Sequence, residues 1–333
     1  MPALHSGLVW CRFRTGAFVL IFIAARRACE HGLASCRAVP GRRCGCAQIV
    51  CRRYRRRGHR MCDAAQRQDR SGTPAPAFAG AGVNLLWTSG WDSTFQLLRL
   101  LLKHRLPVVP YYLEDPTRAS TTTELRTMRR IGDALRDTFP ETRDLLQPLR
   151  TFPVGELEPD PDIADALRTI RTRIFIGSQY EWLPLFCKRH GMAGMELSVH
   201  VDDKVQALLA SFVCEFDQAG KYRSFRVDPR HAGTAEYALF RYFSFPLFRI
   251  DKRAMAREAE SEGWSRIMDM TWFCHRPLQG KPCGTCAPCA YAIEEGLAWR
   301  VPRARRVLSF FYRKLALPLK PPIRAALASV WKR

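Results

Sequence analysis

Short apolar runs and amphipathic stretches alternate along the chain from residue 83 onward. The run "VNLLW" at 83–87 is typical of a strand that is buried on both faces of a parallel sheet. A second apolar run, "PVVPYYLE" at 107–114, predicts another strand. Between the two runs, apolar residues recur at helical spacing, at Phe95, Leu97, Leu98, Leu101 and Leu102. Strand, helix and strand in this order predict a βαβ unit and an α/β fold with a doubly wound, mostly parallel sheet.

Three further stretches extend this pattern. Residues 120–139 and 176–192 each predict a helix. Residues 195–204, "MELSVHVDDK", alternate in the manner of a strand and end in His200, Asp202 and Asp203. Ligands of doubly wound sheets bind at the carboxyl ends of the strands. We therefore expect these three residues to lie at the ligand edge of the sheet, with His200 and Asp202 as candidate functional residues; a capping or ion-pairing role is the alternative.

The turn after the first strand has the sequence Thr88-Ser89-Gly90-Trp91-Asp92-Ser93. A helix N-terminus offers unpaired N–H groups and a partial positive charge, and small residues before it let a phosphate approach the backbone. Asp92 would repel a phosphate, but it is useful if it binds Mg²⁺ or shapes the loop. We therefore predict that Thr88–Ser93 holds a phosphate group. The alternative is an ordinary helix start, and in either case Asp92 or Ser93 is expected to cap the helix.

Four cysteines near the C-terminus follow the spacing C-x8-C-x2-C-x2-C. They are Cys274, Cys283, Cys286 and Cys289. Four thiolates at this spacing predict a tetrahedral zinc site, and four protein ligands leave no open position, so the zinc would be structural. An iron–sulfur cluster is the alternative. Because the tetrad is clustered in a long chain, it favours a reducing compartment, and we expect a cytoplasmic protein.

The net charge of +22 is confined to the two ends of the chain. Residues 1–70 contain 15 Lys/Arg and 3 Asp/Glu, residues 71–299 are neutral, and residues 300–333 contain 10 basic and no acidic residues. A neutral middle argues against a nucleic-acid groove across the core. Basic ends favour contact with polyanions, either RNA or an anionic membrane surface.

These shifts in composition predict three regions. Residues 1–75 are a basic, Cys-rich, disordered arm or linker; a signal peptide around the apolar run 17–25, or a natural start near Met61, are the alternatives. Residues 83–297 form a nucleotide-binding domain that includes the zinc site at 274–289. Residues 300–333 form a basic amphipathic tail.

The loop and the cysteines together resemble one enzyme family. Thr88–Ser93 is similar to the Ser-Gly-Gly-x-Asp-Ser loop of the PP-loop ATP hydrolase superfamily, with Thr88 and Ser89 in place of its first two residues. The cysteine spacing, introduced by Thr271-Trp272-Phe273-Cys274, resembles that of 7-cyano-7-deazaguanine synthase in queuosine biosynthesis. A third likeness is the aromatic–Pro–Leu and helix start at 245–263. The resemblance implies an adenine nucleotide alpha hydrolase-like, Rossmann-like domain with a small C-terminal zinc-bound lobe.

The resemblance also implies a chemistry. A carboxylate or amide oxygen of a small substrate would attack the α-phosphorus of ATP, releasing pyrophosphate neutralised by Mg²⁺, and a nitrogen nucleophile such as ammonia would then displace AMP. Asp92, Ser93, His200 and Asp202 are the expected catalytic residues, and Trp91, Asp115 and Arg118 are expected beside the nucleotide with the loop. Two alternatives remain: an enzyme that modifies tRNA or another macromolecule, and a non-catalytic nucleotide- or zinc-binding protein. A homodimer is an expected assembly.

Overall fold

The central sheet of this computed structural model consists of five parallel strands. The structure describes residues 82–218, 220–294 and 297–316, so the predicted arm at 1–75 and the tail beyond residue 316 lie outside the described residues. All described residues belong to one unit of the chain, His59–Arg333. The strands of the described chain are β1 (Val83–Leu86), β2 (Val108–Glu114), β3 (Arg150–Pro153), β4 (Met195–Glu196), β5 (Val213–Gln218), β6 (Tyr222–Val227) and β7 (Phe243–Ser244).

The order of the five parallel strands is β3-β2-β1-β4-β7. From β1 the chain builds outward through β2 to β3, then resumes on the other side of β1 with β4 and ends at β7. The direction of winding therefore reverses between β1 and β4, and the loops that follow these two strands open at the same edge of the sheet. Strands β5 and β6 form a separate antiparallel hairpin.

Eleven α-helices occur among the described residues. They are α1 (Trp91–Leu98), α2 (Thr121–Thr138), α3 (Thr142–Leu145), α4 (Pro161–Arg171), α5 (Gln179–Arg189), α6 (Lys204–Leu209), α7 (Ala235–Phe240), α8 (Lys252–Ser261), α9 (Ser265–Asp269), α10 (Ala287–Glu294) and α11 (Arg303–Phe311). π-helical turns at Arg99–Lys103 and Tyr312–Ala316 prolong α1 and α11. None of the helices in the described part of the chain combines the length and apolar composition needed to span a membrane.

Two hydrophobic cores cover the two faces of the sheet. Strand β2 shows the division, because Tyr111 and Leu113 lie in one core while Val108 and Tyr112 lie in the other. Helices α4, α5 and α7 contribute to the first core, and α1, α2, α8 and α9 contribute to the second. Helices on both faces explain why β2 is apolar along almost its whole length. The predicted α/β class with a parallel sheet is confirmed.

Several predicted elements form close to the expected bounds. The strands predicted at 83–87 and 107–114 are β1 and β2, and the helix predicted at 120–139 is α2. The predicted capping of α1 is wrong: the helix begins at Trp91 with Gly90 at the N-cap, and no side chain caps it. Asp92 and Ser93 already lie inside the first turn, so neither occupies the position from which a side chain caps.

Candidate functional site

The loop after β1 has an unusual backbone for its sequence. Ser89 adopts a left-handed conformation with φ of 56°, which is uncommon for a residue other than glycine. The Ser89 side chain is fully buried, and its hydroxyl oxygen has no hydrogen-bond partner. Gly90 then returns to an extended conformation and starts α1. Because no side chain caps this helix, the N–H groups of its first turn remain available to a ligand.

Hydroxyl groups bind the loop to the start of α1. The backbone N–H of Thr88 donates to Ser93 Oγ at 3.3 Å, and the two hydroxyl oxygens lie 3.4 Å apart. Ser93 also donates to the Gly90 carbonyl oxygen at 3.4 Å. A side chain at Gly90 would bring its Cβ to 3.3 Å from Thr88 Oγ1, so the loop closes around a position that suits glycine.

A cavity of about 220 Å³ opens beside this loop. It lies where the winding of the sheet reverses, since residues after β1 and residues after β4 both line it. Its lining includes Thr88, Gly90, Asp92 and Ser93 from the first loop, Ser198 and Asp203 from the second, and Arg118 and Tyr180 from other elements. Polar groups from several elements therefore share the cavity wall with aromatic and aliphatic side chains, which is a common composition for a small-molecule site.

Asp92 and His200 face each other at this edge. His200 Nε2 lies 3.4 Å from Asp92 Oδ2, and His200 Nδ1 donates to the Val201 carbonyl oxygen. Burial lowers the pKa of His200, but the Asp92 carboxylate and the Val201 carbonyl outweigh burial, so the net pKa is raised above its ordinary value. With Nδ1 already donating, Nε2 carries a proton for Asp92 only in the imidazolium form. The pair therefore favours a charged His200.

The structure places the predicted site residue Asp202 and its neighbour Asp203 differently. Asp202 is exposed, adopts a left-handed conformation with φ of 77°, and is absent from the cavity lining. Asp203 lines the cavity and also caps α6 by accepting a hydrogen bond from the Val205 N–H at 2.9 Å. The sequence favoured Asp202, but the chain leaves β4 after Glu196 and turns, so the strand-like alternation no longer assigns sides.

Of the remaining residues predicted to contact the nucleotide, one lines the cavity and two do not. Arg118 lines the cavity, donates to His275 Nε2 at 3.4 Å and lies 3.7 Å from Glu124 Oε2. Asp115 does not line the cavity, and its carboxylate accepts hydrogen bonds from Thr117 instead. Trp91 also lies outside the cavity lining, with the Arg300 guanidinium 6.0 Å from its ring centre.

The four predicted cysteines come together. Their Sγ atoms all lie within 4.8 Å of one another, and the Cys283–Cys289 and Cys274–Cys286 sulfur pairs are each 3.9 Å apart. A tetrahedral zinc ion with Zn–S bonds of about 2.3 Å requires sulfur separations of about 3.8 Å. The residues therefore fit a single metal ion, and the prediction of a four-cysteine group that can hold a structural metal is confirmed.

The cysteine group contacts the loop through the backbone. Trp272, two residues before Cys274, donates its backbone N–H to the Ser89 carbonyl oxygen at 2.8 Å, and its indole N–H donates to the Cys274 carbonyl oxygen at 2.7 Å. Arg300 adds a donor to the carbonyl and hydroxyl oxygens of Thr271. The segment that leads into Cys274 therefore packs directly against the loop.

A buried acid in strand β4 was not predicted from the sequence. Glu196, at the end of β4, is fully buried; it accepts hydrogen bonds from Gln96 Nε2 at 2.8 Å and from the Tyr222 hydroxyl. Burial raises the pKa of Glu196 to about 7, against the opposing effect of both donors and of Arg99. A glutamate inside an apolar strand was the available signal, because such a residue is rarely buried without partners.

The comparisons with known proteins leave the family open. The chain matches no protein-family model, and no curated protein matches it.

Proposed function

We propose that this chain is an ATP-dependent ligase of the PP-loop type, which adenylates a small carboxylate or amide, in the manner of 7-cyano-7-deazaguanine synthase. The observation that carries the proposal is the cavity beside Thr88–Ser93, at the edge of the sheet where the winding reverses between β1 and β4. Nucleotides bind at such positions in doubly wound sheets because the loops diverge there and leave a crevice.

The loop suits a phosphate chain. The uncapped N–H groups at the start of α1 provide donors and a partial positive charge, and Gly90 leaves room for close approach. Arg118 adds a cation to the cavity wall. Asp92 would hold Mg²⁺ through its carboxylate, of which Oδ1 is buried and has no hydrogen-bond partner. When bound, the Mg²⁺ ion would neutralise negative charge on the pyrophosphate group.

The proposed reaction has two steps: AMP is transferred from ATP to the substrate, and an amine then replaces AMP. An oxygen of the substrate carboxylate bonds to the α-phosphorus of ATP, and the bond from that phosphorus to the bridging oxygen of the β-phosphate breaks, so pyrophosphate leaves. An amine, ammonia in the simplest case, then bonds to the acyl carbon, AMP leaves and the nitrogen loses a proton. Ser93 supplies a hydroxyl donor from the cavity wall, and His200, 3.4 Å from Asp92 and outside the cavity lining, would orient the Asp92 carboxylate.

Zinc is the metal that best suits the cysteine group. In clusters of several irons the thiolates bind separate iron atoms, whereas these four sulfurs lie close enough for one ion. With four protein ligands the ion has no open position and would be structural. Its role would be to fix the segment from Trp272 to Cys289 against the loop.

Release of pyrophosphate tests the proposal. The full-length protein is incubated with Mg·ATP, ammonium and a panel of heteroaromatic and aliphatic carboxylates, and pyrophosphate and AMP are measured. We expect both products in equal amounts with at least one carboxylate, and we expect Asp92→Asn to abolish them while the melting temperature stays within a few degrees. If ATP binds but no carboxylate yields AMP, the non-catalytic nucleotide-binding alternative is favoured. If AMP forms only when RNA is added, the RNA-modifying alternative is favoured.

A further inference from the structure

Helix α11 turns its apolar side away from the protein. Ser309 is its buried residue. The helix packs against the segment that carries the cysteine group, because the Arg305 carbonyl oxygen leaves no space for a side chain at Gly284. The opposite side is exposed and apolar. It consists of Val307, Leu308, Phe310 and Phe311, continued by Leu315, each at least 45% exposed. An amphipathic helix of a globular protein ordinarily buries its apolar face, so this face lacks a cover among the described residues.

The same segment is strongly cationic. From residue 297 to residue 316 the chain has no acidic residue. Its basic residues after Trp299 are Arg300, Arg303, Arg305, Arg306, Arg313 and Lys314. Arg300 is partly buried and donates to Thr271, and Arg313 pairs with Glu294, whereas Arg303 and Lys314 are exposed beside the apolar side. Exposed apolar side chains and unneutralised cations thus share one surface.

We propose that this surface, residues 299–316, docks on an anionic lipid bilayer. A second copy of the chain in a symmetric pairing would bring the same cations of both copies together without any acid from this segment. Single-stranded RNA binds through stacking on aromatic rings, to which the aliphatic Val307, Leu308 and Leu315 contribute nothing. A bilayer interface matches both features, because acyl chains receive the apolar side and anionic headgroups pair with the flanking cations.

The segment has the parts of an interfacial helix. The apolar side chains of α11 would enter the boundary between headgroups and acyl chains, and Arg303 and Lys314 would extend toward lipid phosphates. Trp299, 59% exposed at the start of the segment, is of the residue type that concentrates at membrane interfaces. The helix is far too short to span a bilayer, so the docking would be peripheral and reversible.

The test is flotation of the full-length protein with vesicles. Two vesicle compositions are compared, pure phosphatidylcholine and phosphatidylcholine with about 30% phosphatidylserine. The first variant, Phe310→Ser with Phe311→Ser, removes apolar area; the second, Arg303→Gln with Lys314→Gln, removes charge. The matched controls are Phe175→Ser, at an aromatic residue 70% exposed elsewhere, and Arg129→Gln, at an exposed arginine of α2. Because all the altered side chains are exposed, the variants should keep the melting temperature of the wild type.

We expect the wild type to bind the anionic vesicles at least about tenfold more tightly than the neutral ones. The apolar variant should lose at least about tenfold in affinity, and the charge variant about fivefold for each cation removed. Both controls should stay within about twofold, and no variant should change ATP binding. The proposal is overturned if the wild type binds both vesicles equally, or if the patch variants float like the controls. It is equally overturned if the apolar variant instead splits a dimer or weakens RNA binding.

Discussion

The backbone N–H of Trp272 donates a 2.8 Å hydrogen bond to the carbonyl oxygen of Ser89. This bond joins residues 183 positions apart, and it connects the segment that leads into Cys274 with the left-handed turn of the candidate phosphate loop. A metal held by the cysteines would therefore do more than stabilise its own lobe. It would fix the position of Trp272, and through it the conformation of the loop.

Removing the metal should weaken both stability and nucleotide binding. In Cys286→Ser, one of four thiolates is lost, and we expect metal content measured by native mass spectrometry to fall from one zinc per chain to near zero. The melting temperature should fall by about 10 °C, since a tightly bound ion stabilises the folded state by several kcal/mol. The affinity for Mg·ATP should also fall, because Trp272 no longer fixes Ser89.

The matched control is Cys187→Ala, which removes a buried thiol of α5 that lies outside the cysteine group. This variant should retain one zinc per chain and wild-type ATP affinity. The account of the cysteine group would be contradicted if Cys286→Ser kept its metal, or if both variants lost the same amount of ATP affinity.

Glycine at position 89 should stabilise the protein. Ser89 carries a left-handed backbone penalty of about 1 kcal/mol and buries a hydroxyl that has no hydrogen-bond partner. Ser89→Gly relieves both. Glycine loses more conformational entropy on folding than serine, and with that cost subtracted we expect the free energy of unfolding, measured by urea titration, to rise by about 1 kcal/mol. Ser93→Gly removes the same atoms from a helical position with hydrogen bonds, and it should destabilise the protein by a similar amount. A loss of stability in Ser89→Gly would contradict this account of the turn.

His200 should titrate above its ordinary value, and Asp92 should be the reason. By NMR, the wild-type imidazole should show a pKa above 6.5, and in Asp92→Asn it should fall below 6.5, because burial and Lys252 then act without the carboxylate. Since the folded-state pKa is the raised one, the pair stabilises the protein fully below pH 6.5, and this contribution is lost as the pH rises through the folded pKa.

The control for this titration is Asp202→Asn, which changes the exposed neighbouring carboxylate and should leave the pKa of His200 above 6.5. An imidazole that titrates at or below its ordinary value in the wild type would show that Asp92 and His200 do not pair. An unchanged value in Asp92→Asn would show that another group holds the proton.

Glu196 should make the protein less stable as the pH rises from about 4.5 to about 7. Its pKa is raised from 4.5 to about 7 in the folded state, so over this window the folded protein binds more protons than the unfolded chain. The free energy of unfolding should then fall with pH, by at most about 1.4 kcal/mol per pH unit. Glu196→Gln keeps an acceptor for Tyr222 and should remove this slope, as measured by urea titration at several pH values. Glu158→Gln, at an exposed acid, should keep the slope; a wild-type curve that is flat or rises here would show that Glu196 is ionised.

The sequence predicted the elements whose signals are local. Helix α8 begins as expected after Asp251, whose carboxylate accepts from the Ala254 N–H at 2.6 Å. The cysteine group followed from spacing alone, since its last three ligands lie within seven residues. Helix α4 was missed although Asp160 caps it and Pro161 occupies its first position, a combination that is a strong helix-start signal.

Other features could not be predicted because they depend on distant partners. Asp203 instead of Asp202 lines the cavity because the chain turns after β4, and that turn depends on packing across the sheet. Glu196 is buried with Gln96 and Tyr222, which are 100 residues before it and 26 residues after it. The outward orientation of the apolar side of α11 could not be predicted either, because a periodic pattern shows that a helix is amphipathic but not which side packs against the protein.

The proposed function requires the loop Thr88–Ser93 to bind the phosphates of ATP, and calorimetric titration of Mg·ATP tests this directly. The comparison is between the wild type and Gly90→Ala. Gly90 has φ of −70°, so alanine is compatible with the backbone, but its methyl group would narrow the loop beside Thr88. We predict one ATP per wild-type chain and at least about tenfold weaker binding in Gly90→Ala, with melting temperatures within a few degrees. Absence of ATP binding in the wild type, or equal affinity in both proteins, would contradict the central claim.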